Sequence, residues 1–244
     1  MSSVTHVMDA RTGESRAGIA VGPSSISWRL VAGAALGVAV LYFVSVLVGS
    51  LASLPGTDAS PARVLAFFVG HRDGVLAAVV LNGIAWCVLM PVVFVGLRLR
   101  IAGEGSAAAS LALAGALVES ALVGVLLVFV ALAAFDAPDL SPQLARLLAD
   151  GFALATSASA WPTVLCAVAM AVAIRRSRVL PVYTANLGLA VASLHCVAAV
   201  GLARAGAFSP AGIAVFAPPS FAVWMGAIGV SMLRRGPELV AADA

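Results

Sequence analysis

The 244-residue chain has no lysine. All fourteen of its basic residues are Arg, set against eleven Asp or Glu. Charged residues make up 10% of the chain, where soluble domains carry roughly 25%. So few charges cannot coat a water-soluble fold. Their scarcity excludes a typical soluble enzyme, a disordered chain and a nucleic-acid binder working through a basic face. The net charge of +3 reads instead as Arg collected at the helix ends of a membrane protein.

Cysteine and histidine are sparse, three of each. Cys87, Cys166 and Cys196 lie inside apolar runs without CxxC or zinc-ligand spacing, so they read as small apolar residues. His195 has no second histidine within the apolar runs, which argues against haem or metal ligation. No phosphate-binding glycine loop, HExxH or GxSxG occurs, and the aspartates form no DDxxD-like pair. No catalytic residue, metal ligand or cofactor is expected.

What the chain does have is hydrophobic length, with 62% apolar residues and a mean hydropathy of +1.08. Six apolar stretches, near 30–53, 75–97, 107–135, 151–174, 182–203 and 212–233, can each cross a bilayer. A span needs about 20 residues at about 1.5 Å each to cover roughly 30 Å of hydrocarbon. Runs of this length without sustained alternation argue against β-barrel strands. The expected fold class is all-α: a polytopic transmembrane bundle of six spans in the lipid bilayer.

Arg placement predicts orientation. Arg11, Arg16 and Arg29, the Arg98/Arg100 and Arg175/Arg176/Arg178 connections, and Arg234/Arg235 put ten arginines on one side. Arg63, Arg72, Arg146 and Arg204 fall on the other. The excess marks the first side as cytoplasmic, with both termini inside, in a multi-pass protein of the cytoplasmic (inner) membrane. Residues 1–29 read as a flexible cytoplasmic tail, 30–233 as the transmembrane domain and 234–244 as a cytoplasmic tail. Ser50-Leu51-Ala52 loosely resembles a signal cleavage site, but the apolar run before it exceeds a signal core, so a retained first helix is preferred.

The spans pair as three hairpins. Each outer loop contains Ser-Pro (Ser60-Pro61, Ser141-Pro142, Ser209-Pro210), a helix-start signal. Pro61–Arg72 and Pro142–Ala149 read either as short outer helices ended near Asp73-Gly74 and Asp150-Gly151, or as outward extensions of the second and fourth spans. Trp161-Pro162 and Pro218-Pro219 are expected to bend their helices. His71, Arg72 and Asp73 at the outer mouth read as solvated or capping residues. Gly33-x-x-x-Gly37 permits close helix approach, including a homo-oligomer.

Glu119 is the sharpest signal, an acid near the middle of the third span. A charge at that depth costs roughly 2.5–3.5 kcal/mol on insertion scales. It shares a helical face with Ala108, Ala112 and Gly115, which turns it toward the bundle interior. Two readings stand: a binding or proton-relay carboxyl, or a neutral acid donating one interhelical hydrogen bond. His195, flanked by Ala192 and Ala199 on its face, is a candidate partner. Asn82, Tyr42 and the serines Ser157 and Ser159 lie within roughly 10 Å of the same depth. They are candidates for one interior polar cluster, although helix-to-helix hydrogen bonds explain each individually.

The Ser60-Pro61 loop leading to His71-Arg72-Asp73, Arg178-Val179-Leu180-Pro181 opening the fifth span, and Ser209-Pro210 followed by Trp224 resemble a family of uncharacterised bacterial integral membrane proteins, a domain of unknown function. The resemblance covers about residues 30–235. Richness in Ala, Val and Arg without Lys is similar to members from high-GC actinobacteria. The resemblance implies a six-helix bundle in the cytoplasmic membrane and supplies no catalytic residues. The leading functional expectation is a non-enzymatic accessory or sensor protein responsive to a small molecule or lipid, its ligand unknown. The alternatives are a transporter or permease subunit, and a membrane-embedded enzyme acting on a lipid or isoprenoid with Glu119 as acid or base.

Overall fold

A computed structural model of the chain describes residues 26–50, 53–101, 105–203, 205–209 and 212–242. The described residues form an all-α bundle. Its helices are α1 (Trp28–Val48), α2 (Pro61–Asn82), α3 (Met90–Arg100), α4 (Ser106–Phe135), α5 (Pro142–Ser177), α6 (Val182–Ala199) and α7 (Ala217–Ala242). A π-helical turn, Gly83–Leu89, fuses α2 and α3 into one 40-residue rod. The α2–α3 rod, α1, α4, α5 and α6 are each long and apolar enough to cross a membrane, which makes this a multi-pass membrane protein. Helix is the state that satisfies backbone polar groups without water. The residues 1–25 of the expected tail, Leu51-Ala52 of the cleavage-like site, and Arg204 and Pro210 lie outside the described residues.

The rods close a ring. α1 packs on α7 and on the α2–α3 rod, that rod on α4, α4 on α5, α5 on α6, and α6 on α7. One end of the ring is filled by Trp28, Phe94, Leu97, Ile174, Met225 and their neighbours. There Trp28 donates its indole N–H to the Met232 carbonyl at 2.6 Å, and Trp224 donates to the Thr184 carbonyl at 2.8 Å. Both indoles thus bury their rings without stranding a donor. Toward the other end the rods diverge around a cavity.

Two of the Ser-Pro signals act as expected: Ser60 accepts from the Arg63 amide and Ser141 from the Leu144 amide. The helices they open are extensions of the spans rather than separate pieces. α5 runs unbroken through Asp150-Gly151 and through Pro162, and α2 runs through Asp73-Gly74 with one non-helical residue, His71 (φ −122°, ψ 16°). Gly74 marks close approach instead of a stop: a Cβ there would collide with the Val48 carbonyl oxygen at the end of α1. Pro218 and Pro219 begin α7 rather than bend it, in the first turn where a missing N–H costs nothing. α7 continues past the expected 233 boundary to Ala242.

The π turn was not foreseen. It ends one residue before Met90-Pro91. Pro91 has no N–H for the ladder and crowds the carbonyl four residues back, and a wider turn relieves both. Gly37 faces Leu89 at the end of this turn, whereas Gly33 is exposed.

Candidate functional site

The cavity has a volume of about 550 Å³, within the roughly 300–1,000 Å³ of small-molecule sites. Every rod of the ring contributes to its wall. Tyr42, Asn82, Glu119, Ser157 and His195, expected to cluster, all line it. Depth explains this: Tyr42, Ser157 and His195 lie in the half of their helices that borders the diverging end, and Glu119 and Asn82 lie close to the middle of theirs. Much of the remaining wall is apolar, including Val75, Val123, Leu126, Val130 and Phe152.

Glu119 is 4% exposed. Gly115 and Ala112, one and two turns before it, are buried, Gly115 against α5. A Cβ on Gly115 would sit 3.0 Å from the Pro162 carbonyl oxygen and the Cys166 nitrogen. This approach carries the Glu119 carboxyl beside the hydroxyls of Thr163 and Ser159. Both hydroxyls face the carboxyl and also have an acceptor on their own helix. Thr163 donates to the Ser159 carbonyl at 3.2 Å and Ser159 to the Thr156 carbonyl at 3.0 Å. Oε2 of Glu119 is buried without a hydrogen-bond partner among the described residues. An unpaired buried polar atom costs about 1–3 kcal/mol, more if charged, so this one needs an explanation.

His195 is buried on α6, its Nδ1 2.9 Å from the Val191 carbonyl oxygen. A carbonyl only accepts, so Nδ1 carries the proton. The neutral imidazole then presents Nε2 as an acceptor. His195 and Glu119 share the cavity wall, but no ion pair joins them.

Asn82 donates to the Ser45 hydroxyl at 2.7 Å and to the Ala78 carbonyl at 3.0 Å. Its amide hydrogens are spent, which leaves Oδ1 as an acceptor. Ser45 passes the chain on to the Tyr42 carbonyl at 2.6 Å, tying α1 to α2. The Tyr42 ring meets Trp86 edge-on at 6.5 Å. Trp86 lies against Phe221 at 4.9 Å, and Phe221 against Trp224 at 5.4 Å, so an aromatic stack separates the cavity from the filled end. Ser157 is committed to structure: it donates to the Gly201 carbonyl at 3.2 Å.

Two wall elements were missed from sequence. Trp86 is placed by the π turn. Ser120, next to Glu119, donates to the Trp86 carbonyl at 2.8 Å and so ties α4 to that turn. Arg146, counted from sequence on the outer side, lines the far end of the cavity with Asp150. Its Nε lies 2.8 Å from Asp150 Oδ1, and its two terminal nitrogens donate to the Thr57 and Ala59 carbonyls. His71, Arg72 and Asp73 do not line the cavity. The His71 ring stacks on Phe67 at 4.6 Å, and Arg72 donates to the Phe135 carbonyl.

The three cysteines are free. Among the described residues no three His, Cys, Asp or Glu side chains gather as a metal site would require. No protein-family model, no curated protein and no solved structure matches the chain.

Proposed function

We propose that the chain is a six-span protein of a bacterial cytoplasmic membrane, both termini inside, that binds a lipid or small molecule in its cavity and acts as an accessory or sensor protein. The carrying observation is that Glu119, with an unpartnered Oε2, shares the wall of one largely apolar cavity with His195, Asn82 and Tyr42. A buried carboxyl with one oxygen unpartnered is a poor structural choice and a useful binding group. The orientation is supported by charge. Arg98, Arg100, Arg175, Arg176, Arg178, Arg234 and Arg235 lie at the filled end, and Arg63, Arg72 and Arg146 at the cavity end. The cavity then opens in the outer half. A homo-oligomer through the exposed Gly33 belongs to the same reading.

The test is ligand-dependent stability. Wild-type protein in lipid nanodiscs is heated with a panel of charged, zwitterionic and uncharged amphiphiles. At least one is expected to raise the melting temperature, and Ala153→Phe, which fills the cavity from α5, is expected to remove the increase. A panel without effect, or an effect that survives Ala153→Phe in a folded protein, counts against the reading.

A second reading, an enzyme acting on a lipid or isoprenoid, is favoured by one observation: an acid and a neutral imidazole share the wall. Consumption of bound amphiphile by wild type but not by Glu119→Gln, followed by mass spectrometry, would select it.

A further inference from the structure

The geometry points to a lipophilic organic cation, an ammonium or phosphonium head on an apolar body, as the ligand class of this cavity. The inference rests on the cavity-binding reading above and narrows it by charge.

The described wall contains one Arg and two acids. Arg146 has all three nitrogens engaged, by Asp150, the Thr57 carbonyl and the Ala59 carbonyl. An anionic headgroup would find no uncommitted cation there. Asp150 is likewise held by Arg146. The charge bookkeeping leaves Glu119, whose Oε2 meets no protein donor and which has no cation in ion-pair range among the described residues.

The neutral groups around it point the same way. Nε2 of His195 and Oδ1 of Asn82 are acceptors, because the protons of Nδ1 and Nδ2 are already used. Ser159 and Thr163 lie beside the carboxyl and also reach backbone carbonyls of their own helix. His195 and Asn82 thus join Glu119 as acceptors on the wall, which also carries the Tyr42 hydroxyl and the Trp86 indole N–H as donors. Trp86 and Tyr42 add aromatic surface, and indole is the side chain that attracts a desolvated cation most strongly. Val123, Leu126, Val130 and Phe152 supply the apolar surface on which a lipophilic body would lie.

The experiment measures binding of radiolabelled tetraphenylphosphonium to full-length protein in phosphatidylcholine nanodiscs by equilibrium dialysis, with empty nanodiscs subtracted. Saturable binding is expected at one site per chain. Removing the charge from a buried ion pair costs about 2–5 kcal/mol, so Glu119→Gln should weaken binding by about 30-fold or more. Glu119→Asp, which keeps the charge, should bind more tightly than the Gln variant. Tetraphenylborate, an anion of the same shape, should show no saturable binding. In wild-type protein, tetraphenylphosphonium should protect Glu119 from the apolar carboxyl reagent dicyclohexylcarbodiimide, scored on the Glu119 peptide by mass spectrometry. This arm needs no variant to fold.

Unsaturable tetraphenylphosphonium uptake, equal binding by folded Glu119→Gln, saturable tetraphenylborate binding, or absent protection each overturns the cation assignment. If an uncharged amphiphile such as dodecanol still stabilises wild type and not Ala153→Phe, the cavity-binding reading survives that loss. If no amphiphile does, both fall.

Discussion

Ser120 on α4 donates its hydroxyl to the carbonyl of Trp86 at 2.8 Å, and to its own helix at Ala116 at 2.9 Å. The first bond exists because the π turn Gly83–Leu89 frees a carbonyl that a regular helix would hold. One hydroxyl thus fixes two cavity residues at once, Trp86 through its backbone and Glu119 through its neighbour. Ser120→Ala leaves the Trp86 carbonyl buried without this partner. The expected loss is about 1–2 kcal/mol in unfolding free energy, with a shifted Trp86 fluorescence. Unfolding in mixed micelles measures the first and emission spectra in a background lacking the other tryptophans the second. A change below about 0.3 kcal/mol would show that the bond contributes nothing beyond its unfolded-state substitute.

Gly115 sets the distance between α4 and α5. The atoms that a Cβ would meet are backbone, the Pro162 oxygen and the Cys166 nitrogen, both at 3.0 Å. Neither can rotate away. Gly115→Ala is expected to push the helices apart, costing about 1–3 kcal/mol as an overpacked core does, and to move Glu119 away from Ser159 and Thr163. Thermal unfolding checks the stability, and cross-linking of paired cysteines on α4 and α5 checks the spacing.

The sequence made the depth of residues legible, but not their local hydrogen bonds. Apolar length marked the spans, and the small face through Ala112 and Gly115 pointed Glu119 inward. Position along a helix was enough to bring Tyr42, Asn82 and His195 to one level, because straight rods preserve depth. The π turn depends on where a displaced carbonyl finds a donor, here Ser120, 34 residues away. The Arg146 latch depends on loop carbonyls 87 and 89 residues away. Periodicity reports the face of a residue and not such distant partners. Asp150-Gly151 left two readings open for a related reason. Near water an Asp-Gly pair favours a break, but Asp150 is held by Arg146 one turn earlier and Gly151 packs beneath Phe129, 3.1 Å from where its Cβ would lie.

The Asn82–Ser45–Tyr42 relay predicts coupling. Asn82 Nδ2 gives 2.7 Å to Ser45 Oγ, which itself gives 2.6 Å to the Tyr42 carbonyl. A double-mutant cycle of Asn82→Ala and Ser45→Ala should show a coupling of about 0.6–2 kcal/mol, the range for interhelical hydrogen bonds in membranes. Additive single losses would mean that the two side chains act independently.

Arg146 closes the loop end of the cavity by gripping Thr57 and Ala59. Lys cannot reproduce a fork to two carbonyls and a carboxylate. Arg146→Lys should therefore speed backbone hydrogen exchange over residues 53–60 by about tenfold or more, the equivalent of one lost hydrogen bond of about 1.4 kcal/mol. Exchange elsewhere, for example in α7, should be unchanged. Exchange mass spectrometry reads both regions in one experiment, and uniform acceleration would indicate global destabilisation instead of an opened latch.

Glu119 separates a binding role from a structural one through the sign of a stability change. If the carboxyl were there to hold α4 to α5, replacing it with Leu would remove a hydrogen bond and destabilise the bundle. The geometry argues otherwise, since Oε2 has no partner among the described residues and each nearby hydroxyl also has an acceptor on its own helix. Leu is close in volume, carries no polar atom, and would join Val123 and Leu126 in the wall. Replacing a poorly compensated buried polar group in this way is often neutral or stabilising, by about 1–4 kcal/mol for buried ionic groups. Glu119→Leu should therefore unfold at a higher temperature than wild type while losing ligand-dependent stabilisation. Glu119→Gln keeps the polarity and should stay near wild-type stability. Such opposition between stability and binding is what a site residue kept at an energetic cost produces. A Leu variant that unfolds earlier than wild type would place Glu119 among the residues that hold the bundle together.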